Sequence, residues 1–443
     1  MKFSKYILII GAVVTSFAAC KPDVQTPAPT RGSADFTRVI SLGNSLTAGY
    51  QDNGLYLEGQ QNSYPAIMAK QMLQTNGGPF YQPLFNEAQA NGSGYVRIKS
   101  LNADGTPILD TVKDMLAIRG SATIPGFGSV TTYTKYTGDI NNYGVPGIKV
   151  ANITSTAYGN VNGYYERILP GNAGTNTTAY LDFATAKAFT FFTCWLGDND
   201  VLGYAINGAA SDSLTSQAYF TSQYTTLLNK LTATGAKGAC AAIPDVTVIP
   251  YFNTVTPAKL LAAAQKVTPA VAAIYIRART SVNATDTTHI TRVAVDRDRI
   301  ILTFPTAKLG TSVTTSGGSF PYGLSPQAPI EDKYVLDVNE VTLVQNTIFG
   351  FNSVIATQAA TKGLAFVDIY AFLNDLKVNG YHTDGLMLTA DYIKGGVFSL
   401  DGIHLTPRGY ALVANQFISA INAKYGSNIP ISEVATFRAV KFP

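Results

Sequence analysis

The run Phe-Thr-Phe-Phe-Thr-Cys-Trp-Leu at residues 189–196 carries no charge and does not alternate between polar and apolar side chains. A strand with one wet face alternates, so this one must be covered on both faces. That requirement points to a parallel sheet with helices on either side. Three more short apolar stretches fit the same sheet: residues 38–42, ending at Gly43; residues 238–243, ending at Pro244; and residues 364–369. Helical periodicity lies between them. Tyr64-Pro65 opens one helix, with proline favourable in its first turn and Ile67, Met68 and Leu73 on its apolar side. A second spans residues 216–234 and places Phe220, Tyr224, Leu227, Leu228 and Leu231 on one face. A third runs over residues 342–361 and stops at Gly363. Strand–helix alternation of this kind predicts an α/β protein whose ligands bind beyond the carboxyl ends of the strands.

Two stretches break the alternation. Residues 77–139 are rich in Gly, Thr and Tyr with short β-like runs. Residues 253–329 begin with an Ala-rich helix expected over 257–277, continue with a strand expected over 299–304, and close in a Gly/Ser/Pro-rich loop at 311–329. Both read as insertions at the rim of the sheet's carboxyl end. They sit inside a single domain expected over residues 36–443, although about 410 residues could make two domains by length alone.

The chain starts as an export signal. Lys2 and Lys5 precede an apolar stretch over residues 6–17, which is too short for a membrane span, and Phe17-Ala18-Ala19-Cys20 closes it. Small residues directly before a cysteine resemble the bacterial lipoprotein cleavage box. The expectation is a signal peptide over residues 1–19, a lipid on Cys20, and a tether through residue 35 that is rich in Pro and Thr. Such a chain would be exported to the cell envelope, at the periplasmic or surface face of the outer membrane. Loss of Lys2 and Lys5 takes the formal charge from +4 to +2, no footprint for nucleic acid. With 46% hydrophobic and 14% charged residues, the composition is that of a globular protein. Cys194 and Cys240 both fall in expected strands. A disulfide and two buried thiols are open readings, and neither cysteine has a metal-site context.

Four short motifs carry chemistry: Gly43-Asn44-Ser45-Leu46, Tyr143-Gly144-Val145-Pro146-Gly147, Gly197-Asp198-Asn199-Asp200 and Asp401-Gly402-Ile403-His404. Cleaving an ester needs a nucleophile, a base to take its proton, an acid to orient the base, and donors for the oxyanion. Ser45 lies just past a strand end. Asn199 offers an amide donor after a buried strand, and Gly147 a backbone N–H at a position without a side chain. Asp401 and His404 precede a helix for which Thr406 is the expected N-cap and Pro407 the first residue, with Leu412, Val413, Phe417 and Ile421 buried. His289 and His382, the remaining histidines, have no comparable setting.

In this order the motifs resemble the SGNH hydrolases, a branch of the GDSL lipases and acylhydrolases. The resemblance implies a three-layer α/β/α, flavodoxin-like fold. It also implies Ser45 as nucleophile, His404 as general base and Asp401 as its orienting acid, with the Ser45 and Gly147 N–H groups and Asn199 as oxyanion hole. No cofactor or metal is implied. Asn44 departs from the pattern, since the family usually has Asp there, and Asp200 is expected to be structural. An α/β-hydrolase would instead carry Gly-x-Ser-x-Gly after several strands, with its Asp and His on separate elements. Here Thr47 stands two after Ser45, the serine follows the first strand, and Asp401 adjoins His404. The expected activity is cleavage of a carboxylic ester through an acyl-serine. The substrate would be a small-molecule, lipid or glycan ester, and the chain would meet the membrane only through its N-terminal lipid. The alternative is a cell-surface glycan- or lipid-binding lipoprotein that keeps this fold without turnover.

Overall fold

The computed structural model describes residues 28–102, 107–283 and 285–443. The leader, Cys20 and residues 21–27 of the expected tether therefore lie outside the described residues. The rest of that tether is not free: the Thr30 carbonyl accepts from Asn428 N–H at 2.8 Å, Ser33 N–H donates to the Tyr425 carbonyl at 2.9 Å, and Ala34 is buried, because the end of the helix Pro407–Tyr425 offers unpaired backbone groups to it. Five parallel strands form the centre: β1 (Val39–Gly43), β2 (Asn142–Gly144), β3 (Phe191–Trp195), β4 (Lys237–Ala241) and β5 (Ala365–Val367). They lie side by side in the order β5-β4-β3-β1-β2. The chain thus leaves β1 in both directions, which is the doubly wound 2-1-3-4-5 topology with its switch point beside β1. Around the sheet run α1 (Ser45–Ala48), α2 (Tyr64–Leu73), α3 (Asn199–Ile206), α4 (Gln217–Thr232), α5 (Pro257–Val267), α6 (Val338–Thr361), α7 (Ile369–Asn379) and α8 (Pro407–Tyr425).

Every residue of β1 and β3 is buried, as an unalternating apolar strand requires. On one face Trp195 meets Tyr64 of α2 and Phe417 of α8, and Tyr64 stacks on Phe417 at 4.7 Å between ring centres. On the other face Cys194 lies beside Tyr224 of α4, and Phe220 of α4 stacks on Phe351 of α6 at 3.8 Å. Full burial of each such side chain stabilises the fold by roughly 1.5–3 kcal/mol. The five apolar residues expected to face inward on α4 are all buried. On α2, Ile67 and Met68 are buried, but Leu73 is exposed and Met72 takes the inward place. Cys194 and Cys240 sit opposite each other on β3 and β4 as free, buried thiols.

Two expectations in the 253–329 stretch need correction. The helix expected over 257–277 ends at Val267. Pro269 forces Thr268 into an extended conformation, and the chain resumes as a strand, Tyr275–Arg279, paired antiparallel with His289–Val293. The strand expected over 299–304 shrinks to Arg299–Ile300, paired with Val335–Leu336. Hairpins also occupy the 77–139 stretch, where Tyr95–Leu101 pairs with Pro107–Val112 and Ile118–Ile124 with Gly128–Tyr133. None of these hairpins joins the parallel sheet. No helix among the described residues is long and apolar enough to cross a membrane.

Candidate active site

β1 delivers the chain to Gly43, where a side chain has no room. A Cβ there would stand 1.8 Å from Thr47 Oγ1 and 2.8 Å from the Trp195 carbonyl oxygen. Glycine alone lets the backbone double back into α1, and the Asn44 side chain caps that single turn by accepting from Leu46 N–H at 2.9 Å. Ser45 is the first residue of the turn and is 7% exposed.

The partner of Ser45 comes from the far end of the sequence. α8 is pinned through its buried face, and Thr406 caps it by accepting from Gly409 N–H at 3.1 Å, with Pro407 in the first turn. Leu412, Val413, Phe417 and Ile421 are all buried. This anchor holds the loop before it, which turns through Gly402 (φ +70°) and carries Asp401 and His404. His404 Nε2 lies 2.8 Å from Ser45 Oγ, and His404 Nδ1 lies 2.9 Å from Asp401 Oδ2. Ser45, His404 and Asp401 thus form one continuous hydrogen-bonded line.

Asp401 is fully enclosed by donors. Its Oδ1 accepts from Ile403 N–H and His404 N–H, both at 2.8 Å, and from Ser399 Oγ at 3.1 Å. Its Oδ2 also accepts from Asn53 N–H at 2.9 Å. Burial by itself would raise the carboxyl, but the facing imidazole and these donors outweigh it and hold Asp401 well below the usual carboxylate range. An ionised Asp401 keeps the proton on Nδ1 and leaves Nε2 to accept from the serine hydroxyl. Asn53 reaches it from a tight turn in which Asp52 (φ 52°) and Asn53 (φ 60°) are both left-handed, a conformation that Asp and Asn tolerate best. Tyr50 packs its ring 4.6 Å from that of His404. Behind it Tyr164 stacks on Tyr133 of the 118–133 hairpin, so the first insertion reaches the wall of the site. The supporting residues Asn53 and Tyr50 have no spacing signal in the sequence, because the fold alone brings them to Asp401 and His404, whereas Ser399 stands two residues before Asp401.

The oxyanion candidates stand on the neighbouring strands. β1 lies between β2 and β3, so the loops after all three open side by side. Gly147, with φ +85°, follows β2, and Asn199 begins α3 after β3. Asn199 Nδ2 donates to the Ile148 carbonyl at 2.9 Å, which joins the two loops and orients the amide. Asp200 accepts from Val150 N–H at 2.7 Å and from Thr215 Oγ1 at 2.7 Å, and so holds the segment after Gly147. His382 lies on an exposed hairpin, and His289 lies in the second insertion.

The departure at Asn44 has a physical cause. Its Nδ2 donates to Asp198 Oδ2 at 2.7 Å, and Asp198 is 4% exposed. A carboxyl group at position 44 would face a second carboxyl group, whereas the Asn44 amide gives Asp198 a donor. Burial pushes Asp198 up to about 7, against the lowering effect of Asn44.

The family model described as GDSL-like Lipase/Acylhydrolase matches residues 39–417, from the strand before Ser45 to beyond His404. The chain belongs to the GDSL-like lipase/acylhydrolase family. No curated protein matches it. Among solved structures it is similar to a mutant of an acetyl-xylooligosaccharide esterase from Geobacillus Stearmophilus, at 9% identity over 88% of this chain and 96% of that one, with a TM-score of 0.35. A lipase/acylhydrolase from Enterococcus faecalis is 10% identical over 89% and 99%, TM-score 0.33. An extracellular lipase from Streptomyces rimosus is 10% identical over 88% and 99%, TM-score 0.34. In this GDSL-family chain the first and last motifs are the ones joined by the hydrogen-bonded line.

Proposed function

We propose that this GDSL-family hydrolase is a serine esterase that cleaves a carboxylic ester through an acyl-serine intermediate. The observation that carries the reading is the line from Ser45 Oγ through His404 to an ionised Asp401, with links of 2.8 and 2.9 Å. Both links fall within the range for proton transfer between positioned groups. Ser45 Oγ attacks the ester carbonyl carbon while its proton passes to His404 Nε2, and Asp401 stabilises the imidazolium. Negative charge collects on the former carbonyl oxygen, where the Ser45 N–H, the Gly147 N–H and Asn199 Nδ2 receive it. Each such donor contributes about 2.7–4 kcal/mol to the transition state. The C–O bond then breaks, and the alcohol leaves with the proton from His404. Water, deprotonated by His404, hydrolyses the acyl-serine and restores the enzyme.

Rates on p-nitrophenyl esters of short, medium and long acyl chains test the proposal and rank the acyl length. Turnover is expected on at least one ester and should fall to background in Ser45→Ala. Equal rates in both proteins would refute it. The small-molecule, lipid or glycan ester substrate would be met at the cell envelope, with Cys20 carrying the lipid.

A further inference from the structure

A second cluster of reactive groups lies away from Ser45. His289 belongs to the hairpin of the second insertion, Asp332 to the turn before Val335–Leu336, and Glu340 to the first turn of α6. One ligand atom from each lies within 4.8 Å of the other two. His289 Nε2 and Asp332 Oδ1 are 3.0 Å apart, yet neither makes a hydrogen bond of acceptable geometry, and Glu340 Oε1 has no partner either. Glu340 is 1% exposed. Its other oxygen, Oε2, is occupied by the Asp337 N–H at 3.0 Å in the capping box of α6. Three buried polar atoms from three separate elements therefore converge without satisfying one another. Orphaned buried polar atoms are costly and rare in folded proteins.

A simple ion pair does not resolve the cluster. A His289–Asp332 pair leaves Glu340 Oε1 alone, and a protonated Glu340 would leave its own hydroxyl undirected. Arg279, a cationic residue lining the same cavity, donates to Tyr204 Oη at 2.6 Å and to the Asp286 carbonyl, and Glu340 Oε1 accepts no hydrogen bond from it. We propose that His289 Nε2, Asp332 Oδ1 and Glu340 Oε1 bind a divalent transition-metal ion of the Zn2+ class. One imidazole and two carboxylates suit such an ion better than Ca2+ or Mg2+, which take oxygen ligands alone. Bonds of about 2.0–2.2 Å place tetrahedral ligand atoms roughly 3.3–3.6 Å apart, between the 3.0 Å His289–Asp332 spacing and the 4.8 Å within which all three atoms lie. A dication and two carboxylates also cancel in charge. The three residues line a cavity of about 420 Å³. The ion would tie the inserted hairpin to the N-terminus of α6. Sequence spacing gives no hint of the site, since its three ligands come from separate elements.

Zn2+ is the probe. The full chain, untagged and in detergent, is dialysed against micromolar Zn2+, and bound metal is counted by mass spectrometry. Crystals of the same protein are measured at the zinc absorption edge. About one Zn2+ per chain is expected, with an anomalous peak between the three atoms. Glu340→Gln, which keeps the capping acceptor, and His289→Gln should each weaken binding at least tenfold, and ester turnover by the zinc-free protein should persist. No zinc above background, a peak elsewhere, or wild-type affinity in either variant overturns the proposal. Should a variant fail to fold, the anomalous peak in the native chain decides alone. The metal count and the anomalous peak do not depend on Ser45 chemistry.

Discussion

Asp401 can hold His404 in one tautomer only while it is ionised, and its surroundings keep it so well below the ordinary value of 3.8. Its contribution to stability is present above the unfolded carboxyl value near 3.9 and disappears as pH falls through the lower folded value. Asp401 should therefore stay ionised through mildly acid and neutral pH, and a carboxyl 13C resonance of Asp401 that titrates above 3.8 would contradict this. Asp198 runs the opposite way, because burial raises it to about 7. It adds most stability below its unfolded value, and that stability is lost as pH rises through about 7. Asp198→Asn keeps an acceptor for Asn44 while removing the charge. At about 1.4 kcal/mol per pH unit the variant should be more stable at pH 8 by up to about 4 kcal/mol, and its stability should vary less between pH 4 and 7. Denaturant midpoints at pH 4 and pH 8 check this, and an unchanged pH dependence would count against it. The sequence placed Ser45, Asp401 and His404 on their motifs, but the Asn44–Asp198 pair became legible only once β1 and β3 were side by side.

At the scale of elements, α8 is the anchor of the Asp401–His404 loop. Thr406→Ala removes its cap and should cost about 1 kcal/mol of stability. The looser loop should lower kcat more than it raises KM, because His404 must sit within hydrogen-bond reach of Ser45 in the transition state. A change confined to KM would contradict this. The sheet-forming elements were readable because burial on both faces leaves an unbroken apolar run, as in β3, and because α4 and α8 carry their apolar residues at helical spacing. β2 is a three-residue strand containing Asn142, too short and polar to register as a strand. The Ala-rich start of α5 was readable as helix, but its end was overrun because Pro269 outweighed the apolar periodicity beyond it. The rim hairpins lack a continuous buried face. Their pairing is set by tertiary packing, such as the small core of Leu260, Ile276, Phe304 and Ile330 beneath the second insertion.

For the molecule as a whole, the parallel sheet fixes three loops at its carboxyl edge and the insertions wall them in, with Tyr133 and Tyr164 reaching toward Tyr50 and His404. The proposed lipid on Cys20 would tether this body to a membrane, next to the end of α8 where Thr30 and Ser33 are hydrogen-bonded. Cys20→Ser should abolish lipid labelling and processing at that junction, and a chain starting at Arg31 should dissolve without detergent. A truncated chain that still needs detergent would make the insertions membrane-binding and favour a lipid substrate. The acyl-serine itself is tested most directly by treating the full chain with a fluorophosphonate ester and mapping the adduct by peptide mass spectrometry. The account predicts one phosphonyl group per chain on Ser45, none in Ser45→Ala, and labelling slowed at least a hundredfold in His404→Ala. An adduct on another residue, or labelling of Ser45 at an undiminished rate without His404, would contradict it.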